Sequence, residues 1–452
     1  MFNKKTMAQM IQWALDAASP IPAHVVITGS AEGLTRFANS EIHQNVFEDK
    51  TNLQVILFGT KKKSSVTTNK ITEEGIQAAV QEAKENLEFL PEGEELPGLV
   101  SEPPLMEMDR FEQSLAEEFP AEERAIRLAE QLVKVELPYK AYGQLSYSED
   151  AVAIGNSTGI RRYFRGNNAS CSVLISHENG AAGYAAGVGN QRGELKLEDL
   201  FETAYQKALA NQNPVTLPIG AYTVILEPQA VFNLMMYTTL LGFSAKSIQQ
   251  KMSFLTDRMG EKIFDEKITI RDDWENPNSL GLPFDMEGTP RSKLTLVEKG
   301  VAKEVAYDTE TAAKEGKVST GHSVGMGFFA GAIPINLIME PGDKTLKEII
   351  AETEEGLLVT RFHYMNPVNP RQALLTGLTR DGFFKIEKGQ VVGAVANMRM
   401  TESMLKAFNQ VEEVSQDCQR ISAFLGNVHV PALKIRDFHF TGQTGMKEPG
   451  KS

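Results

Sequence analysis

The apolar positions of the first half of this chain switch repeatedly between a period of two and a helical period, which predicts strands alternating with helices. Met10, Ile11 and Leu15 lie at helical spacing and predict an amphipathic first helix. The stretches 25–27, 35–47 and 53–58 read as strands of a meander. A helix is predicted over about 73–87, with Ile76, Ala79, Val80 and Ala83 on one face. Pro91, Pro97, Pro103 and Pro104 stand among glutamates, so 90–105 reads as a loop or strap. A second helix is predicted over about 121–135, with Ala125, Leu128, Ala129, Leu132 and Val133 as its apolar stripe.

The pattern then recurs. Asn39-Ser40 and Asn156-Ser157 each precede strand material and then a helix. Ile76, Ala79, Val80 and Ala83 of the first helix match Phe201, Ala204, Tyr205 and Ala208 of the second in phase. The two halves read as a weak duplication of a meander-plus-helix unit, with chance as the alternative. Around 211–218 the Asn-Gln-Asn-Pro and Leu-Pro-Ile-Gly runs mark a boundary. Beyond it short strands dominate, at 222–226, 268–270, 293–298, 305–309, 357–360, 383–387, 391–400 and 432–440. Glu298-Lys299-Gly300 and Glu387-Lys388-Gly389 are hairpin signals. Helices interrupt at about 228–241, 346–355 and 403–408. The expected fold is therefore α+β. An α/β N-terminal domain spans 1–215, a β-rich C-terminal domain with a curved or barrel-like sheet spans 216–445, and 446–452 is a tail.

Composition narrows the function classes. The 452 residues are 42% hydrophobic and 23% charged, which excludes wholesale disorder. Acidic residues number 59 against 46 basic, a net charge of −13 that argues against nucleic-acid binding. Lys61-Lys62-Lys63 is read as a solvated hairpin turn. Two cysteines, Cys171 and Cys418, cannot build a disulfide framework. No signal-peptide core follows Lys4-Lys5, and the apolar stretch 327–339 is too short to span a bilayer. A soluble cytoplasmic protein without membrane contact is expected.

Candidate chemistry is sparse. None of the seven histidines forms a helical ligand pair, so no local metal motif exists. Cys171 sits in an alternating apolar run and reads as a packed strand residue; Cys418 has Asp417 beside it, which disfavours a thiolate. The glycines at 183–189 and 321–327 lack the spacing of a phosphate loop. Four polar segments remain: Asp285 and Glu287 on one side of an extended segment, the Ser319–His322 hydroxyl pair with its histidine, Arg361 to Tyr364 after a strand, and a tight polar turn at 376–382 containing Arg380. Each is a candidate binding loop, or simply a turn held by its own side chains.

Taken in order, several segments resemble the TldD/PmbA family, formerly called modulators of DNA gyrase and regarded as peptidase-related. They are Thr35–Gln44, Pro283-Phe284-Asp285-Met286-Glu287-Gly288-Thr289-Pro290, Ser319–His322, Gly356–Thr360 and Leu375–Gly389. The resemblance implies two domains, a dimer, and cytoplasmic handling of short or unfolded peptides. In the TldD branch a helix early in the C-terminal domain carries HExxxH, and a later cysteine completes a zinc site. The equivalent positions here are Met236, Tyr237 and Leu241, and the span 231–254 holds neither His nor Glu. Thioether, phenol and aliphatic groups supply neither zinc ligands nor a general base. The resemblance is therefore to a PmbA/TldE-like member, with no catalytic residue and no zinc of its own. Zinc is expected only on a TldD-type catalytic partner, with a homodimer as the other arrangement. Peptide-channel candidates are Asp285, Glu287, His322, Arg361, His363 and Arg380. Two further readings stay open: an active metal-dependent peptidase with a non-standard site, and an interaction protein that modulates DNA gyrase.

Overall fold

The computed structural model describes residues 3–279, 281–325, 331–423 and 426–443. The expected tail at 446–452 lies outside these residues, as does part of the apolar stretch 327–339 and of the glycine loop 321–327. Among the described residues no helix is long and apolar enough to cross a membrane.

The first half builds one sheet. Helix α1 (Lys4–Ala18) leads into β1 (Ala23–Ala38), β2 (Glu41–Phe58), β3 (Lys63–Thr68) and α2 (Glu73–Phe89). After the proline strap come β4 (Leu105–Arg110), α3 (Gln113–Glu118) and α4 (Ala121–Leu132), then β5 (Tyr139–Asn156), β6 (Arg161–His177), β7 (Ala182–Gly189) and α5 (Leu197–Ala210). The strand order is β3-β2-β1-β5-β6-β4, with β7 also on β6. The duplication read in the sequence thus has a spatial counterpart. Each meander is followed by its helix, and the two meanders join back to back where β1 pairs with β5 antiparallel, from His24↔Asn156 to Phe37↔Gly143. Asn39-Ser40 makes the turn from β1 to β2, and Asn156 ends β5 just before the corresponding turn at Ser157-Thr158.

Local chemistry explains the helices. Thr72 caps α2 by accepting the Gly75 N–H. Ile76, Val80 and Ala83 of α2 pack with Met7, Met10 and Ile11 of α1 over Val25 and Ile27. Full burial of each large aliphatic chain stabilises by roughly 1.5–3 kcal/mol. Helix α5 buries Phe201, Ala204 and Ala208 over the second meander. Helix α4 is rotated from its expected setting. Leu128 and Leu132 are buried, but Ala129 and Val133 face solvent, and Arg124 and Gln131 turn inward. Arg124 lies across Gly33, where a Cβ would come within 2.4 Å of its guanidinium. It donates to Thr35 Oγ1 (3.1 Å) and the Phe119 carbonyl (2.8 Å), so its charge is buried with partners.

The second half begins with β8 (Gly220–Leu226), α6 (Pro228–Gly242) and α7 (Ala245–Gln249). It continues through β9 (Ile270–Asp272), β10 (Leu294–Glu298), β11 (Val301–Ala302), α8 (Thr309–Lys314), β12 (Leu337–Met339) and α9 (Leu346–Ala351). It ends with β13 (Glu355–Asn369), β14 (Leu374–Glu387), β15 (Gln390–Ala394), β16 (Met398–Ser403), α10 (Met404–Asn409), β17 (Val411–Ala423) and β18 (Gly426–Gln443). Strands β8, β13, β14, β16 and β18 close into a ring, since β8 pairs with both β13 and β18. The expected barrel-like sheet and α+β class are thus present. Lys299-Gly300 and Lys388-Gly389 all have positive φ, the geometry that two-residue hairpin turns demand. Several readings change. The run 391–400 is not one strand but two, β15 and β16. The stretch 305–309 forms no strand but leads into α8, capped by Asp308. The segment 376–382 is not a turn but the middle of β14, bulged at Asp381-Gly382.

The first half meets the second at several places, two of which bear on the candidate residues: the sheet face opposite the helices, and the edge formed by β7 and α5. At one, Val26, Ile154 and Phe164 pack on Leu282 and Phe284, Arg162 Nε donates to the Gly288 carbonyl (2.8 Å), and His24 Nε2 donates to the Met286 carbonyl (2.9 Å). At the other, Arg420 pairs with Glu194 (2.9 Å), Lys207 with Glu227 (2.6 Å), and Gln419 donates to the Ala186 carbonyl.

Candidate functional site

Helix α6 starts where a helix should: Glu227 is the N-cap and Pro228 opens the first turn, where its missing N–H costs nothing. Ala230, Val231, Leu234 and Met235 are fully buried in the barrel core. Met236, Tyr237 and Leu241 are partly buried and pack against that same core. The Tyr237 hydroxyl donates to the Met365 carbonyl at 2.8 Å, so the phenol staples α6 to β13. Cys418 on β17 is half-buried, and burial together with Asp417 pushes its thiol up to about 11. A zinc ion would meet no imidazole, carboxylate or thiolate on this helix, so the donor set does not fit the metal. Among the described residues no group of three His, Cys, Asp or Glu side chains is placed to hold one.

Three sequence candidates gather at the first contact between the two halves. Asp285 is fully buried and organises its loop. Its Oδ1 accepts the N–H groups of Glu287 and Thr289, each at 2.9 Å, and its Oδ2 accepts that of Ser323 at 2.9 Å. The segment is a turn closed by the Gly288 N–H on the Asp285 carbonyl, not the extended run expected. His322 is also sealed, with Nδ1 2.8 Å from the Thr320 carbonyl and Nε2 3.4 Å from Asp272. Burial works to raise the Asp272 carboxyl, but His322, Arg291 and the Asn336 N–H outweigh it and hold that group down at about 2. Glu287 reaches an open space. It lines a cleft of about 550 Å³ whose apolar wall includes Ile56, Leu96 and Pro97 and whose polar wall includes Asp308 and Gln249. Its Oε2 accepts the Thr309 N–H at the start of α8 (3.0 Å). Burial, then the neighbouring Asp285, raises its carboxyl to about 7, so it is partly protonated at neutral pH.

The other three candidates lie together on β13 and β14, and no hydrogen bond or ion pair among the described residues links them to the first group. Arg361 grips Asp381 through Nε (2.8 Å) and Nη2, and its guanidinium carbon sits 3.9 Å over the Tyr184 ring of β7. Arg380 Nε is 3.5 Å from Asp381. Burial, then the charges of Arg380 and Arg361, lowers the His363 pKa, which keeps that ring neutral. The bulge behind them requires glycine: Gly382 has φ 134°, and a Cβ there would lie 2.4 Å from Thr360 Oγ1. Beside the cluster is a cavity of about 220 Å³, bounded by Tyr184, Lys207, Gln229, Thr360 and Gln419.

Sequence reasoning missed Asp272, Arg291, Asp308, Asp381 and Tyr184. Asp308 with Thr311 is a legible capping pair, and Asp381-Gly382 carried a turn signal that became a bulge. Nothing local marks Asp272, Arg291 or Tyr184, whose partners lie far away in sequence.

Comparison with known proteins gives the following. Residues 219–442 match the PmbA/TldA metallopeptidase C-terminal domain. An uncharacterized protein of Methanocaldococcus jannaschii is 39% identical over 150 residues, which is 32% of this chain and 35% of that protein. Metalloprotease PmbA of Escherichia coli O157:H7 is 25% identical over 293 residues, 62% of this chain and 61% of the relative. The matches thus span less than two thirds of those relatives' lengths. The fold is similar to that of TldE from Thermococcus kodakarensis, with a TM-score of 0.84 at 21% identity over 97% of this chain and 100% of the other. It is likewise similar to a protein from Thermotoga maritima named as a modulator of a DNA gyrase, with a TM-score of 0.81 at 20% identity over 97% and 99%.

Proposed function

This chain belongs to the PmbA/TldD metallopeptidase family, and from that premise we propose that it is a non-catalytic, PmbA/TldE-like subunit. In this reading it supports proteolysis of short or unfolded peptides in the cytoplasm by a zinc-bearing TldD-type partner. The observation that carries the proposal is the chemistry of α6. The three positions that would clasp and use an ion are Met236, Tyr237 and Leu241, and Tyr237 is spent on a hydrogen bond that braces the barrel. A zinc-bound water owes its nucleophilicity at neutral pH to the ion, so a chain without ligands must borrow the reactive centre. What remains is suited to holding a substrate: two interdomain recesses beside candidate side chains, and strand edges that pair with any extended backbone regardless of sequence.

Co-purification with a TldD-type subunit, followed by metal analysis and peptide cleavage, tests the proposal. Zinc is expected on the partner, and chelator-sensitive cleavage only by the mixed complex. Stoichiometric zinc and chelator-sensitive cleavage by this chain alone would sink it and favour a peptidase with a non-standard site. Association with gyrase and with no peptidase subunit would favour the interaction-protein reading.

A further inference from the structure

A third recess, of about 360 Å³, opens between the two halves beside β4. The first half gives it Asp109 of β4, Glu112, Asp150 of β5 and Asn190, and the second half gives it Glu275 and Asn427 of β18. Asp109, Glu112 and Asp150 form no ion pair among the described residues. The cations nearby are already answered. Arg165 pairs with Glu149 at 2.8 Å. Arg110, in the wall, has Glu275 and Asp273 beside it, and its Nη2 donates to the Trp274 carbonyl (3.4 Å). Burial raises the Asp150 carboxyl. The Ser30 and Ser148 hydroxyls lower it, the Glu149 charge raises it further, and no cation is among the groups that act on it. Two amides of the same wall are unmet as well. Asn427 is 6% exposed, and its side chain has no hydrogen-bond partner among the described residues. The Asn190 Oδ1 is buried with none. Buried polar groups are nearly always satisfied, so unmet amides among unpaired carboxylates in one recess indicate a guest that supplies N–H donors and positive charge.

We propose that this recess binds a small organic cation, an aliphatic ammonium whose N–H groups answer Asp150, its neighbouring carboxylates and the Asn190 and Asn427 amide oxygens. An ammonium brings three donors and one charge on a compact head, which is what the wall lacks. An anion would meet carboxylates, and a neutral polyol would leave their charge unanswered. For a metal ion, no group of three His, Cys, Asp or Glu side chains among the described residues is suitably placed. The walls come from both halves, so a guest held here touches both at once.

The test titrates putrescine into the full-length chain by calorimetry at about 0.15 M salt, where attraction to distant surface charge is screened. Saturable binding of one equivalent is expected. Asp150→Asn removes the charge and keeps groups that can bond Ser30 and Ser148, and it should weaken binding by about tenfold or more. Asn427→Leu should weaken it too. Glu88→Gln, on the exposed side of α2, removes the same charge elsewhere and should bind putrescine as the wild type does. Nα-acetyllysine methylamide, titrated in parallel, separates the two sources of an ammonium: tighter binding than putrescine assigns the guest to a lysine side chain, weaker binding to a free amine, and either upholds the site. No saturable binding of either probe overturns it. So does an equal loss in Glu88→Gln and Asp150→Asn, or displacement of putrescine by an equal concentration of magnesium ion.

Discussion

Replacing Glu287 by glutamine isolates the titration of one carboxyl in the larger cleft. In the folded chain, burial and the neighbouring Asp285 raise that carboxyl from its ordinary 4.5 to about 7. The unfolded chain releases the proton at the ordinary value. Between the two values the native state therefore holds more protons than the unfolded one, and stability falls as pH rises. The contribution is intact below about pH 4.5 and lost once pH passes about 7. A displacement of this size corresponds to roughly 3 kcal/mol. Glutamine carries no titration and keeps an oxygen to accept the Thr309 N–H, so the capping contact at α8 survives. Urea unfolding of both proteins at about pH 4 and about pH 8 reads the difference. Near pH 4 the two should be equally stable. Near pH 8 the variant should be more stable by up to roughly 3 kcal/mol. A gap independent of pH, or a variant less stable at the higher pH, would refute the account of a crowded, desolvated carboxyl.

Two further outcomes follow from the α6 region and the thiols. Tyr237→Phe removes the donor to the Met365 carbonyl and should lower unfolding stability by about 1 kcal/mol without changing metal content; an unshifted urea midpoint would show that the phenol is idle. Burial pushes the Cys171 thiol up to about 12, and Cys418 is at about 11, so neither should be alkylated by iodoacetamide at neutral pH until the chain is unfolded. Fast native labelling of Cys418, read by mass spectrometry, would contradict its placement.

The sequence made some features legible and hid others for physical reasons. Helices α2 and α5 were readable because a single apolar stripe faces a single core, and α6 because a long apolar run opens on Pro228 and is packed in the barrel core on most sides. The setting of α4 was not, because Arg124 is buried by partners supplied from Thr35 and Phe119, and periodicity assigns any arginine to solvent. Strands β1 and β2 read as fragments because glycine and a charged run break the alternation, yet hydrogen bonds to flanking strands carry them through. Strand β4 was invisible: its burial alternates only between exposed and partial, and it exists because it lies parallel to β6. For the site, the absence of ligands on α6 was readable residue by residue. That Asp285, Glu287 and His322 would gather at one contact and Arg361, His363 and Arg380 at another depends on pairing between distant strands, which no local window contains.

The two halves of the molecule are bolted together at separate points, by Arg162 and His24 at one and by Arg420, Lys207 and Gln419 at the other. Two fixed points leave a body one free rotation, about the line that joins them. Any other turn of one half against the other must therefore break the hydrogen bonds of one bolt or the ion pairs of the other.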